Sequence, residues 1–353
     1  MGSTYVFRLL ETAVVGFIGG YLFSIIHFPL PWMLGSLTLV MVWQGLMKRK
    51  SYWPGSIKNS GLIILGIYFG LYFSKETFLT VGPYFLPYLI ATFLLILFSI
   101  FLSSIVTRWI NVDNITSAFG SIPGGLTEMV IASEALNAKS SFVLIFQTVR
   151  LLTVLFLVPS TITYIFNERS SSSYEWSTAT VFSFGNWNLL WFVIPVVMGI
   201  LFRNKLPAGT VIVPLLITAL MNISIISLST LPPFLLILAQ VAVGIGLGKN
   251  ISFSDLRLGG KYCFVYFGVS LALIFVSFGL GGLLAHFTTL NLSTAILSIA
   301  PGGLIEMVLT ASIIGGDPAI VSALQLTRIL VIVIFVPSFI KWYFKKAEIQ
   351  NAA

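Results

Sequence analysis

Four ionisable residues stand inside long apolar stretches of this sequence: Glu128, Arg150, Glu306 and Arg328. On insertion scales each costs about 2.5–3.5 kcal/mol at the bilayer centre, so the four together cost roughly 10–14 kcal/mol unless partners, water or a ligand neutralise them. Their surroundings repeat. Pro123, Gly124 and Gly125 precede Glu128, and Gln147 and Arg150 follow it; Pro301, Gly302 and Gly303 precede Glu306, and Gln325 and Arg328 follow it. Gln147 and Arg150 are three apart, as are Gln325 and Arg328, so each pair projects from one face of a helix. Each Glu lies about one turn beyond a Pro-Gly-Gly break, and a helix starting at such a break presents unpaired N–H groups and a positive dipole end. Carboxylates placed there can carry H+ or Na+. The arginines can grip a carboxylate-like anion by bidentate hydrogen bonds. A purely structural alternative is that Glu128 pairs with Arg150, and Glu306 with Arg328, to fix helix packing.

The elements that position these residues follow from a self-comparison. Aligned on Pro123 and Pro301, the chain matches itself at an offset of 178: Glu128 with Glu306, Gln147 with Gln325, Arg150 with Arg328, Pro159 and Ser160 with Pro337 and Ser338. The same diagonal pairs Gly66 with Gly244, Gly70 with Gly248, Pro29 with Pro207 and Gln44 with Asn222. Self-similarity at one fixed offset marks a repeated structural unit. The copies are 1–166 and 187–353, separated by a polar, Ser-rich linker over 167–186. Six apolar segments fall in each: near 5–26, 31–47, 57–73, 84–107, 115–133 and 141–165, then near 187–202, 206–226, 234–248, 262–286, 293–313 and 319–343. Gln44 and Asn222 read as interhelical hydrogen-bonding residues, and glycines such as Gly19, Gly20, Gly66 and Gly70 as close-packing positions.

Composition says what surrounds these segments. Of 353 residues 57% are apolar and 8% charged, against about 25% charged in a soluble domain, and the mean hydropathy is +1.01. Lipid is therefore the solvent, and continuously apolar runs of about 20 residues are spanning helices rather than barrel strands. The fold class is an all-α polytopic membrane protein. The first run reads as a spanning helix rather than a removable signal, since it lacks a small-residue cleavage site.

Loop charge gives the orientation of the copies. The loop at 48–58 holds Lys48, Arg49, Lys50 and Lys58, whereas its counterpart at 226–236 holds no Lys or Arg; Arg203 and Lys205 have no counterparts at 25–31. By the positive-inside rule the second copy is inverted. Inversion needs an odd number of crossings per copy, so one of the six segments fails to cross. The segment interrupted by Pro-Gly-Gly is the natural one, because Pro and Gly break helices. The expectation is about ten transmembrane helices plus two re-entrant or broken helices. Of 19 Lys and Arg, this puts 15 inside, 2 outside and 2 in the membrane. Both termini are then cytoplasmic, at a bacterial inner membrane.

Several functions are excluded or demoted. The net charge of +8 is scattered through short loops, not gathered into a basic face, so no direct nucleic-acid partner is expected. Cys263 is the only cysteine and His27 and His286 the only histidines, which leaves no disulfide, no metal cluster and no cofactor site. The duplicated Pro-Gly-Gly-x-x-Glu-Met motif followed by Gln-x-x-Arg resembles the bacterial AbrB-type membrane protein family over essentially the whole chain. Members carry labels of gene-expression regulator or ammonia monooxygenase. A copper monooxygenase needs several His ligands, which this chain lacks, and direct transcription control needs a soluble DNA-reading element.

The reading that follows is a secondary transporter, not an enzyme. It carries a small, anionic, carboxylate-like solute coupled to H+ or Na+, with the lipid bilayer as its other partner. The oligomeric state is open, a homo-oligomer included. Inverted repeats whose broken helices meet near the midplane are the recurrent design of such proteins. The alternative is a membrane sensor that binds a ligand and affects gene expression indirectly. An acid–base membrane enzyme ranks third, for want of a nucleophile or metal beside the Glu and Arg pairs.

Overall fold

The computed structural model describes residues 2–47, 49–110, 112–136, 138–166, 187–203, 205–206, 208–224, 228–252 and 257–351. The linker expected over 167–186, with Arg169, lies outside the described residues, as do Lys48 and Pro207. Every regular element among the described residues is a helix: α1 (Gly2–Ile25), α2 (Pro31–Met47), α3 (Gly55–Gly70), α4 (Lys75–Val106), α5 (Asn114–Ser121), α6 (Leu126–Glu134) and α7 (Ser140–Phe166) from the first copy. The second copy gives α8 (Val193–Phe202), α9 (Gly209–Ile223), α10 (Pro233–Asn250), α11 (Lys261–Phe287), α12 (Leu292–Ile299), α13 (Leu304–Ile313) and α14 (Pro318–Asn351). A 3-10 stretch over Trp187–Phe192 leads into α8. Six described helical segments are long and apolar enough to cross a membrane, within α1, α4, α7, α10, α11 and α14. The protein is therefore a helical membrane protein.

The segment breaks fall where the sequence places them. The fifth segment of each copy is two short helices, α5 and α6 or α12 and α13, separated by Ile122–Gly125 or Ala300–Gly303. By contrast α4 begins at Lys75, nine residues before the expected start, and carries Pro83 and Pro87 in its interior. Proline is tolerated within membrane helices because neighbouring groups re-satisfy the freed carbonyls.

The chain folds into two compact units, and each draws on both copies. The first unit comprises Met1–Thr80, Pro159–Phe253 and Val308–Ala319; the second comprises Val81–Val158, Ser254–Met307 and Ile320–Ala353. The first unit holds α1–α3 and α8–α10, and glycine sets its packing. α1 and α2 run antiparallel, with Gly19 against the Gly35 backbone, Gly20 against Trp32, and Ser36 Oγ donating to Gly16 O at 2.8 Å. α2 and α10 run in the same direction: Gly244 packs on Met33 O and Gly248 on Leu37 O, and Gln44 donates to Lys249 O and Ile251 O. α9 and α3 repeat this with partners exchanged, since Gly66 packs on Val211 O, Gly70 on Leu215 O, and Asn222 donates to Leu71 O and Phe73 O. Each contact maps onto its counterpart by moving one residue forward and its partner back by 178. α3 and α10 run antiparallel, Gly61 lying on Ala239 O and the Lys58 stem on Gly246. Gln44 and Asn222 are thus interhelical hydrogen-bonding residues, each satisfying carbonyls at the end of a neighbouring helix.

Candidate functional site

Every residue singled out for chemistry lies in the second unit, and the geometry starts from the exposed ends of broken helices. An α-helix leaves its last carbonyls and first N–H groups without intrahelical partners. At 8 and 9 residues, α5 and α6 are mostly such ends. Asp113 caps the start of α5, its side chain accepting from Thr116 N at 2.9 Å. Asn291 is the N-cap residue of α12, 178 positions on. At the far end of α5, Gln147 on α7 donates to Phe119 O and Ile122 O. One turn along, Arg150 donates from Nη1 to Ile122 O at 2.6 Å and from Nη2 to Gly124 O at 2.8 Å. The second copy makes the same bonds, residue for residue. Gln325 donates to Leu297 O and Ala300 O, and Arg328 donates to Ala300 O and Gly302 O.

Gln147, Arg150, Gln325 and Arg328 are all buried, the two arginines at 6% and 3% exposure. Each guanidinium therefore spends its terminal nitrogens on the break carbonyls. Arg150 Nε and Arg328 Nε are buried and have no hydrogen-bond partner among the described residues. Glu128 and Arg150 form no ion pair within 4 Å, where the structural alternative had placed one. Each guanidinium has its two terminal nitrogens occupied by carbonyls without a carboxylate, which is the physical reason.

The carboxylates stand at the opposite ends of the breaks. Gly125 is the N-cap residue of α6 and Glu128 lies in its first turn; Glu306 lies in the first turn of α13. In both copies the carboxylate folds back over the second glycine of the motif. A Cβ at Gly125 would overlap Glu128 Oε2, and one at Gly303 would overlap Glu306 Oε2. The first glycine makes room for the methionine after the Glu: a Cβ at Gly124 would lie 2.6 Å from Met129 Cε, and one at Gly302 would lie 2.5 Å from Met307 Cε. Neither pair has positive φ. These glycines are present for space, not for backbone freedom. Pro123 and Pro301 are buried, whereas Gly125 and Gly303 are exposed.

The first broken segment returns to where it entered. Lys139 N, five residues beyond α6, donates to Thr116 Oγ1 near the start of α5 at 2.9 Å. Along α7, Lys139 lies beside Thr116 and Arg150 beside Gly124, so α5 runs with α7 and α6 runs back. Each break also lies against the long helix that carries the other copy's Arg. A Cβ at Gly302 would meet Val154 Cγ1 at 3.2 Å, one turn beyond Arg150. In the reciprocal sense Phe119, Ile122 and Met129 cluster with Val331 and Ile332, one turn beyond Arg328.

Two residues of this arrangement escaped sequence reasoning. Tyr88 and Tyr266 are fully buried and are 178 apart. Tyr88 on α4 donates to Ser298 O of α12 at 3.1 Å. Tyr266 on α11 reaches Ser117 Oγ of α5 at 2.8 Å, and its ring stacks on Phe146 at 3.6 Å. Each copy thus braces the broken segment of the other. The signal was available, as a polar aromatic within an apolar helix recurring on the same diagonal. No described cluster of three or more His, Cys, Asp or Glu could hold a metal ion.

The family model described as "Transition state regulatory protein AbrB" matches residues 32–344. The chain belongs to the AbrB family. YhjN of Bacillus subtilis (strain 168) is 23% identical over 342 residues, covering 91% of this chain and 89% of that protein. An Escherichia coli (strain K12) protein named "Putative regulator AbrB" is 26% identical over 282 residues, covering 73% and 76%. The match to the AbrB family model takes in both breaks and all twelve motif residues.

Proposed function

We propose that this protein is a secondary transporter of a small anionic solute, coupled to H+ or Na+, with its binding site between the two Pro-Gly-Gly breaks. One observation carries the reading: two broken helices from different copies, each held by a buried Arg and starting with a carboxylate, lie in one unit against the long helix that carries the other copy's Arg. A purely structural element gains nothing from two charged breaks, since each could be replaced by a continuous apolar helix. A solute site does, because the helix starts offer N–H groups and positive dipole ends to an anion.

Inverted topology of the two copies supports this reading. Equivalent helices of the first unit run in opposite directions by their contacts: α1 opposes α2, α10 follows α2, α3 opposes α10, and α9 follows α3. That order agrees with the one deduced independently from loop charge. The return of α6 to Thr116 fits a re-entrant hairpin on one side, with its counterpart entering from the other. Arg150 is the eleventh of 27 residues in α7, about 15 Å along and so near the middle of roughly 30 Å of hydrocarbon.

The test is solute uptake, or current on a solid-supported membrane, from proteoliposomes given a panel of small carboxylates under H+ and Na+ gradients. Wild type moves at least one solute, and Glu128→Gln or Glu306→Gln abolishes gradient-driven accumulation. A folded wild type that moves none of the panel under either gradient contradicts the proposal.

A further inference from the structure

We propose that the Glu128 and Glu306 carboxylates are built-in competitors of the solute: each occupies its own helix N-terminus and must be protonated and leave before the solute's anionic group takes the same N–H groups. This rests on the transport reading and names H+ as the coupling ion.

The argument begins with the space over the second glycine. In each copy that space is filled by the carboxylate of the residue three positions later. A Glu at the third position of a helix that folds back on the N-cap residue lies over the N–H groups of the first turn. Those groups are what an incoming carboxylate or phosphate would use. A second feature points to the same place. Arg150 Nη2 is bonded to Gly124 O and Arg328 Nη2 to Gly302 O, which holds each guanidinium at its helix start, and each Nε is a buried donor without a partner among the described residues. The Nε–H of each guanidinium is thus left to meet an anion.

Two anions cannot share one N-terminus, so occupation by solute requires that the Glu lose its charge. The neighbouring groups decide how. Arg150 from α7 holds Gly124 O at the Glu128 break, with Tyr266 from α11 braced on the same hairpin. Arg328 from α14 and Tyr88 from α4 flank the Glu306 break. Na+ would need several oxygen ligands, and the carbonyls at the break already accept from Arg and Gln while a guanidinium sits beside them. A proton needs one carboxylate oxygen only. It converts that carboxylate into a weaker partner for N–H groups, frees the helix start, and travels with the solute as a neutral pair. Symport in that stoichiometry follows from competition for one place, without long-range communication.

The experiment is hydrogen–deuterium exchange on the full chain in lipid nanodiscs, with rates corrected for the intrinsic effect of pH. Peptides over 123–131 and 301–309 are followed at about pH 8 and about pH 4, with methanesulfonate, which stays ionised at both, as the anion probe and a peptide from α2 as the reference. In wild type, lowering the pH speeds exchange at the starts of α6 and α13 by up to about fivefold, the equivalent of a capping interaction of about 1 kcal/mol. Methanesulfonate restores protection at low pH and not at high pH. Glu128→Gln makes the first break insensitive to pH and leaves the second responsive.

Wild-type protection that is independent of pH overturns the proposal, and this comparison needs no variant to fold. Protection that follows Na+ against choline at fixed pH overturns it as well. Transport that fails while the pH response stands defeats the transport reading alone. Transport that proceeds without the pH response defeats the competition alone.

Discussion

At the scale of the residue, the two copies of Pro-Gly-Gly-x-x-Glu-Met and Gln-x-x-Arg resolve into one set of contacts made twice. The second glycine yields its Cβ space to the carboxylate, and the first yields it to methionine. Gly125→Ala and Gly303→Ala should therefore displace the carboxylate while leaving the ordinary φ of the backbone unstrained. The expected result is a loss of about 1 kcal/mol in unfolding free energy, the size of a lost cap, together with loss of gradient-driven uptake; thermal unfolding and vesicle uptake measure both. Arg150→Lys removes the planar fork that serves Ile122 O and Gly124 O. Lysine is not equivalent at such a site. A buried carbonyl left without its donor costs about 1–3 kcal/mol, so Arg150→Lys should lower Tm even with the charge retained. The identities and spacing of these residues were legible in the sequence, but the partners of the arginines were not. Charge type suggests a carboxylate for every buried guanidinium, whereas a helix broken in lipid has carbonyls that need donors just as badly. Tyr88 and Tyr266 were passed over for a related reason: an aromatic in an apolar helix reads as filler until its hydroxyl is seen to have an acceptor.

At the scale of the element, glycine has two opposite uses that sequence alone does not separate. Gly244 packs on Met33 O and Gly66 on Val211 O, so no side chain fits between α2 and α10 or between α3 and α9. Gly279 and Gly282 on α11 have nothing within 4 Å of a Cβ. Gly244→Ala should thus force helices apart and destabilise by roughly 1–3 kcal/mol, as overpacking does. Gly279→Ala and Gly282→Ala should be neutral, or stabilising by up to about 1 kcal/mol through helix propensity. Thermal unfolding of the three variants in one detergent makes the comparison. Helix positions themselves were readable to within a few residues, because a run of apolar residues is bounded by charge, Gly or Pro. The exceptions are the start of α4, where Pro83 masks nine residues of helix that lipid surroundings permit, and the end of α14, eight residues past the expected 343.

At the scale of the whole molecule, the sequence divides into halves while the fold divides differently. The first three helices of both copies lie in one unit, with Val308–Ala319, and the broken segments as far as Met307, with most of their long neighbours, make the other. A repeat is visible in one dimension as a diagonal, but which repeats of which elements pack together depends on contacts between residues about 178 apart, and no local pattern encodes those. The reciprocal bonds of Gln44 and Asn222, and of Tyr88 and Tyr266 across their copies, show how the halves interlock once contacts are known.

Opposed orientation of the halves is the claim on which transport, competition and the paired breaks all depend, and the side of the membrane reached by linker and tail tests it most directly. In a Cys263→Ser background, Ser172→Cys and Gln350→Cys are labelled in intact cells and in inverted vesicles with a membrane-impermeant maleimide. The account predicts that Ser172→Cys is labelled from outside and Gln350→Cys only from the cytoplasmic face. Labelling of both from the same side would contradict it.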